Sequence, residues 1–180
     1  MRLKIKKEER KIHEDICSGV CWNSDNELYS ISDDMTCHTW DINGDNKGKA
    51  MEIESPLIDF DWIISMKKSG EIMAMGCADG SIMFSGHSKK IDGRVDKAHK
   101  GALTSVKWNY EGAALASSGE DGKLKIWAKN GALRSTLVES SKPIYCVAWS
   151  PDNNNILYAS DNKLTIIPTH PGKKSTSWKA

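Results

Sequence analysis

The sequence HKGALTSVKWNYEGAALASSGEDGKLKIW, residues 99–127, determines the fold of this chain. It contains three runs typical of β-strands, Leu103 to Trp108, Ala113 to Ser118 and Lys123 to Trp127, with polar turns between them. The second turn contains Asp121-Gly122. An Asp-Gly pair between two alternating runs is one of the strongest signals of a β-hairpin, because both turn positions favour a positive φ. The stretch therefore predicts three antiparallel strands in a meander.

The same pattern recurs along the whole chain. A tryptophan closes a β-like run at positions 22, 62, 108 and 149, at intervals of 40, 46 and 41 residues. A self-similar unit of about 40–45 residues is the signature of a WD-repeat propeller blade, a small sheet of four strands. We therefore predict an all-β chain with about four four-stranded antiparallel blades. Since WD-repeat rings usually hold about seven blades, we expect an incomplete propeller, that is, an open arc.

The repeat also predicts where each blade begins and ends. We expect blades at residues 13–55, 56–98, 99–140 and 141–180. Before the first of them, residues 2–7 alternate apolar residues with lysines, as a half-buried edge strand does. In a closed ring such a segment supplies the outer strand of the last blade. Strand 2–7 is therefore expected to belong to a closing blade that is not present, and to find no partner in the first blade.

Other segments are predicted to be loops or strand ends. Gly44–Gly48 and His170–Lys174 are short and polar, as loops between strands are. Pro168 is expected to limit the third strand of the fourth blade, because proline has no N–H group for the ladder. Trp178 to Ala180 stand where the leading loop of a further blade would begin.

Composition excludes several classes of function. The chain has 180 residues and a formal net charge of +1, whereas a nucleic-acid-binding domain usually carries a strong basic patch. No apolar run approaches the roughly 20 residues that a membrane-spanning helix needs, so we predict no membrane insertion. Gly-rich phosphate-binding loops of the common patterns are absent from the sequence. We therefore predict no cofactor and no small-molecule substrate.

The cysteines are candidate metal ligands. Five cysteines, an odd number, lie at positions 17, 21, 37, 77 and 146, and His13 and His38 are near the first three. Structural zinc sites usually place two ligands at a turn. Cys17 and Cys21 instead lie within one strand-like run, about 13 Å apart at the rise of a strand. We therefore favour reduced thiols that pack as small apolar groups over a zinc site.

Two sets of four polar residues recur at nearly the same spacing. They are His13, Ser30, Asp34 and Trp40 in the first unit and His99, Ser117, Asp121 and Trp127 in the third. In WD-repeat blades, residues at these places form a hydrogen-bond chain, which suits a donor-only indole, a hydroxyl, an imidazole and a carboxylate. The combination of Ser, His and Asp also suggests a hydrolase triad. A catalytic site has no reason to occur twice in register, so we predict structural tetrads and no enzyme.

The second and fourth units lack the full set of tetrad residues. In the second unit, Met75 replaces the serine and Ser85 stands where the tryptophan would be. No tryptophan ends the third strand of the fourth unit either. The stability of these two blades is expected to come from packing and from contacts with the neighbouring blades.

Several stretches are more specific than the general repeat, and they resemble the intraflagellar transport protein 80 family. They are Trp108-Asn109-Tyr110-Glu111-Gly112, Gly119-Glu120-Asp121-Gly122, Lys125-Ile126-Trp127, Leu133-Arg134-Ser135-Thr136-Leu137, Met1-Arg2-Leu3-Lys4-Ile5, Glu27-Leu28-Tyr29-Ser30, Ser32-Asp33-Asp34, Ile58-Asp59-Phe60 and Trp178-Lys179-Ala180. The similarity runs in order from the first residue to the last, and it is strongest over residues 108–137.

The resemblance implies a non-enzymatic scaffold subunit in the peripheral part of intraflagellar transport complex B. Such a subunit supports train assembly and cilium formation through protein–protein contacts. The implied partners are other subunits of that complex, including one with a calponin-homology domain. The implied location is the cilium or flagellum, the ciliary base and the cytoplasm. Family members have two propellers and a helical-repeat tail, so we expect this chain to be a fragment, a truncated gene product or part of a longer subunit.

The sequence is also compatible with a second function. A WD-repeat blade set could serve another multiprotein assembly as a recognition module for a peptide, a phosphopeptide or ubiquitin. Recognition of phosphate would favour a cluster of arginines aimed at the central channel. Arg2, Arg10, Arg94 and Arg134 are instead dispersed along the sequence, which favours the scaffold.

Overall fold

The computed structural model describes residues 11–63, 71–86, 88–170 and 172–179. In these ranges the chain forms sixteen β-strands arranged in four sheets. The strand that was predicted over residues 2–7 lies outside the described residues, and so does Ala180. Among the described residues, no helix is long and apolar enough to cross a membrane.

Each sheet is formed by four consecutive strands of the chain. Blade one contains β1 (Cys17–Trp22), β2 (Leu28–Ser32), β3 (Thr36–Trp40) and β4 (Asn46–Glu52). Blade two contains β5 (Leu57–Trp62), β6 (Met73–Cys77), β7 (Ile82–Ser85) and β8 (Ile91–Val95). Blade three contains β9 (Leu103–Trp108), β10 (Ala114–Gly119), β11 (Lys123–Ala128) and β12 (Leu133–Glu139). Blade four contains β13 (Ile144–Trp149), β14 (Asn155–Ser160), β15 (Lys163–Pro168) and β16 (Thr176–Lys179).

Every sheet is an antiparallel meander in which each strand pairs with the next in sequence. The first strand of each blade packs against the first strand of the next, from β1 through β5 and β9 to β13. The four sheets therefore follow one another in chain order. This architecture confirms the prediction of an all-β incomplete propeller with four four-stranded blades.

Two predictions about the ends of blades were wrong. Gly48 lies inside strand β4, where it pairs with Thr39, and is not part of a loop. Its φ of +109° and the register shift beside Trp40 allow the strand to continue through an irregular pairing. Trp178 lies in β16 and pairs with Leu164, so it belongs to the outer strand of blade four and not to a further leading loop.

Proline and glycine act at strand ends and turns as their chemistry requires. Pro168 is the last residue of β15, opposite Asn155, where its missing N–H group removes no bond from the strand interior.

In the hairpin turn of blade three only Gly122 has a positive φ, of +71°, so the expectation of two such residues was wrong. Asp121 uses its carboxylate instead, and accepts the N–H of Lys123 at 3.1 Å.

A hydrophobic core fills the space between each pair of neighbouring sheets. Between blades one and two the fully buried side chains include Tyr29, Ile31, Met75 and Met83. Gly19 leaves room for the next blade, since a Cβ atom there would lie 3.2 Å from Phe60 on β5 and 3.1 Å from Ile31 of its own sheet. Similar cores lie between blades two and three and between blades three and four. The sheets are therefore held together face to face.

The outer faces of the first and last blades are less well covered. Val20 on β1 is 65% exposed, and Tyr145 on β13 is 55% exposed. The residues equivalent to Val20 in the two inner blades, Phe60 and Val106, are buried. The two end sheets therefore present apolar surface that a neighbouring sheet would cover in a larger assembly.

Candidate functional site

The tetrad of blade three forms a continuous chain of hydrogen bonds. The indole Nε1 of Trp127 donates to Ser117 Oγ at 2.7 Å. Ser117 Oγ lies 2.7 Å from His99 Nε2, and His99 Nδ1 lies 2.8 Å from Asp121 Oδ1. The Asp121 carboxylate only accepts, so Nδ1 of His99 carries the ring proton. In the neutral ring Nε2 then accepts the hydrogen of Ser117, whose oxygen accepts from the indole.

Burial and hydrogen bonding set the charges of this tetrad. Burial lowers the pKa of His99, against the opposing effect of the Asp121 carboxylate, which favours the neutral ring. Burial alone would raise the pKa of Asp121, but hydrogen bonds from His99 and from backbone N–H groups outweigh it and lower that pKa. One of those N–H groups belongs to Lys100, 3.1 Å from Asp121 Oδ2. The tetrad therefore ties the loop before β9 to β10 and β11.

The tetrad of blade one has the same geometry. Trp40 Nε1 donates to Ser30 Oγ at 2.8 Å, and Ser30 Oγ lies 2.7 Å from His13 Nε2. His13 Nδ1 lies 3.1 Å from Asp34 Oδ2, which also accepts the N–H of Glu14 at 2.8 Å. The hydrogen bonds that Asp34 accepts outweigh its burial and lower its pKa. The structure thus brings together all four residues in both sets.

The tetrads are poorly placed for hydrolysis. Ser117 is fully buried, and its oxygen already contacts the indole and the imidazole. A nucleophilic serine needs access to a substrate and an oxyanion hole beside it. The chemistry that this arrangement supports is the satisfaction of buried polar atoms, which would each cost about 1–3 kcal/mol if left unpaired.

Blade two replaces the tetrad with other contacts. Met75 is fully buried at the position of the serine. Asp79 keeps the turn by accepting the N–H of Ser81 at 2.9 Å, but its second oxygen pairs with Arg94 at 2.7 Å and not with a histidine. Arg94 also contacts Asp96 at 2.6 Å. An ion-pair cluster at the edge of the sheet thus takes the place of a buried hydrogen-bond chain.

A second polar network lies between the inner strands, and sequence reasoning missed it. Asp59 on β5 accepts hydrogen bonds from Ser105 Oγ at 2.8 Å and from the N–H of Val106 at 3.0 Å. Asp61, two residues further, accepts the N–H of Trp108 at 2.7 Å. The two N–H groups belong to alternate residues of β9, which pairs with β10 alone and is the end strand of its sheet. Carboxylates of one blade thus satisfy the open edge of the next.

Charge and burial differ between the two carboxylates of this network. Lys107 Nζ lies 2.8 Å from Asp59 Oδ1, so Asp59 has a counter-charge. Burial raises the pKa of Asp61 to about 6, against the opposing hydrogen bond from Trp108 and the charge of Lys107. Both carboxylates are therefore engaged between blades and are not solvated surface charge. The signal was available, because two acids at alternate positions of a buried strand need partners on a neighbouring sheet.

Blades three and four are also joined by side chains of their inner strands. Thr104 Oγ1 donates to the carbonyl of Ile144 at 2.5 Å and lies 2.8 Å from Ser118 Oγ. In the other direction, Trp149 Nε1 donates to the carbonyl of Lys107 at 2.9 Å. The inner strands of blades two, three and four are therefore linked by polar contacts as well as by packing.

The cysteines and histidines of blade one do not form a cluster of metal ligands. The rings of His13 and His38 contact edge to face, with centroids 4.8 Å apart. Cys37 is buried and Cys17 is exposed. Over the described residues, no group of three or more His, Cys, Asp or Glu side chains could hold a metal ion.

Comparison with known proteins identifies the repeat and a set of relatives. A family model described as the WD40 domain of anaphase-promoting complex subunit 4 matches residues 71–152. Intraflagellar transport protein 80 homologs of Mus musculus and Rattus norvegicus are each 37% identical to this chain over a 190-residue alignment. WD repeat-containing protein 70 of Xenopus laevis is 28% identical over 171 residues, 87% of this chain and 27% of that protein.

The match to the two intraflagellar transport proteins covers the chain completely. It spans 100% of this chain but only 24% of each relative. The resemblance inferred from the sequence is therefore confirmed over the entire chain, which spans about a quarter of the length of these relatives.

Proposed function

Since this chain is a WD-repeat protein related to intraflagellar transport protein 80, we propose that it is a non-enzymatic scaffold subunit of intraflagellar transport complex B. It belongs to the peripheral part of the complex and supports train assembly and cilium formation. The observation that carries the proposal is the 37% identity to the mouse relative over the full length of the chain. We assign blades 13–55, 56–98, 99–140 and 141–180 to the N-terminal part of one propeller.

The geometry of the polar residues supports a role in binding and not in catalysis. The polar side chains of the tetrad that contains His99 form hydrogen bonds with one another, and its serine is buried. We assign a structural role to both tetrads, in which they hold the strands of blades one and three. A rigid blade set offers loops and edges on which other proteins assemble.

The partners in this proposal are other subunits of complex B, including one with a calponin-homology domain. The chain acts at the cilium, at the ciliary base and in the cytoplasm. Phosphopeptide recognition is less well supported, because Arg94 is engaged with Asp79, Asp96 and Glu54. Of the arginines in the described ranges, this leaves Arg134 alone, and one guanidinium is a weak phosphate site.

Reciprocal co-precipitation tests the proposal. The epitope-tagged protein should recover complex B subunits from a ciliated cell, and a tagged complex B subunit should recover it in turn. A variant with Trp127→Phe and Trp40→Phe, which removes the indole donors of both tetrads, should lower recovery only as far as it lowers the folded fraction. Recovery of a different assembly, with no complex B subunit in it, would contradict the proposal.

A further inference from the structure

A recess lies where the inner strands of blades two, three and four end. Its volume is about 340 Å³, at the lower end of the roughly 300–1,000 Å³ of ligand pockets. We call it the tryptophan recess, and it is lined chiefly by Asp61, Trp62, Lys107, Trp108, Tyr110 and Trp149. Three of these residues are the tryptophans that close the repeated strand run. The repeat thus places three indole rings around one cavity.

The walls of the tryptophan recess are held in place by packing and hydrogen bonds. Trp62 is 3% exposed and Trp108 is 6% exposed, so both rings are fixed in the core. Trp149 is fixed by its bond to the carbonyl of Lys107. Tyr110 stands at the mouth with an exposed ring, and its backbone N–H donates to Asn153 at 2.9 Å. A preformed aromatic cavity of this kind loses little entropy when a ligand enters.

The charge inside the recess is unbalanced. Lys107 forms its ion pair with Asp59 at 2.8 Å, and its charge also acts on Asp61 from beyond ion-pair distance. Asp61 bonds to the backbone N–H of Trp108, and no lysine or arginine nitrogen of the described chain lies within ion-pair distance of it. The Cys21 thiol on β1 is neutral, because burial raises its pKa. Two carboxylates, Asp59 and Asp61, thus share one ammonium group, so an ionised Asp61 gives this cluster beside the aromatic cavity a net negative charge.

We propose that the tryptophan recess binds an arginine side chain presented by an extended segment of a partner protein. A guanidinium group is planar, stacks on indole faces and donates several hydrogen bonds to a carboxylate. Asp61 is the group that pairs with it, and the indole rings flank it. The inference is independent of which complex the chain joins, because it rests only on the geometry of this cavity.

Binding of matched peptides tests the proposed site. The protein is immobilised at low density, so that association between copies does not compete, and the peptide GSGSRSGSG is titrated through the millimolar range by surface plasmon resonance. A peptide with citrulline in place of arginine has the same shape without the charge. We expect the arginine peptide to bind about tenfold more tightly. Equal binding of the two peptides would overturn the proposal.

Variants of the protein locate the binding to the recess. Measurements are made above the pKa of Asp61, about 6, where its carboxylate is charged. Asp61→Asn keeps an oxygen for the N–H of Trp108 but removes the charge, and it should abolish the preference for arginine over citrulline. Asp161→Asn, on an exposed turn of blade four, is the matched control and should leave the preference unchanged.

A second variant covers the case in which Asp61→Asn does not fold. Tyr110→Ala removes an exposed ring at the mouth of the recess, so the fold should survive. We expect binding of the arginine peptide to weaken about threefold to tenfold. Unchanged binding in a folded Tyr110→Ala protein, together with an unchanged preference in a folded Asp61→Asn protein, would place the peptide elsewhere and contradict the proposal.

Discussion

Asp59 on the inner strand of blade two accepts the backbone N–H of Val106 on the inner strand of blade three, at 3.0 Å. The same carboxylate accepts Ser105 Oγ and pairs with Lys107. One side chain thus joins two blades through three groups of the facing strand. Contacts of this kind explain how sheets that share no backbone ladder keep a fixed mutual position.

Removing this carboxylate should weaken the interface between blades two and three. Asp59→Ala leaves a backbone N–H group, a hydroxyl and an ammonium group without their acceptor, and we expect a loss of about 2–3 kcal/mol in the free energy of unfolding. Urea denaturation followed by fluorescence measures the loss. Asp45→Ala, in an exposed loop between β3 and β4, is the control. Equal stability of the two variants would show that the inter-blade hydrogen bonds of Asp59 add no net stability.

Breaking the hydrogen bonds of either tetrad should lower the stability of the protein. Trp127→Phe keeps a large apolar ring but removes the donor to Ser117, so we expect a loss of about 1–3 kcal/mol. Asp34→Ala should cost a similar amount in blade one. Trp178→Phe, on the exposed face of β16, serves as the control and should change stability little. A folded Asp121→Asn protein that kept its thermal stability but lost a measured hydrolysis would instead point to catalysis.

The lowered pKa of His99 predicts that the stability of the protein depends on pH. Burial lowers its pKa in the folded state, so the unfolded chain binds a proton more readily, with an ordinary pKa of about 6.5. The stability contributed by neutral His99 is therefore present above about pH 6.5 and is lost as the pH falls below that value. The measurement is the difference in unfolding free energy between wild type and His99→Gln from about pH 5 to 7.5.

That difference isolates His99 from Asp61, whose effect on stability has the opposite sign. The raised pKa of Asp61, about 6, makes its contribution fall as the pH rises from the ordinary aspartate value of about 4 towards 6. Asp61 is present in both proteins, so its effect cancels. A difference that did not shrink on acidification would mean that His99 is not held neutral by its surroundings.

The sequence predicted what is local and periodic. The tryptophan spacing predicts four blades, and the residues of each tetrad lie within a single blade. The contact between Asp59 and Val106 could not be predicted in the same way, because its partners lie 47 residues apart on different sheets. Strand β16 was missed because it has only four residues, and its polar, exposed pattern resembles a loop.

The exposed faces of the end blades predict association. Val20 and Trp22 on blade one and Tyr145 and Trp178 on blade four leave large apolar side chains in solvent. Residues 1–180 expressed alone should therefore form oligomers or aggregates, which light scattering detects. Trp22→Ser with Tyr145→Ser should reduce this association, whereas the control Ile42→Ser, on an exposed turn, should not. A monodisperse wild-type chain with a sharp thermal transition would contradict this expectation.

Fractionation of isolated flagella tests the scaffold assignment most directly. An antibody against this chain is used to follow it through the membrane-matrix fraction and then through a sucrose gradient. We predict that the chain enters this fraction and comigrates there with subunits of intraflagellar transport complex B. Its absence from the membrane-matrix fraction, while other complex B subunits are recovered in it, would contradict the assignment.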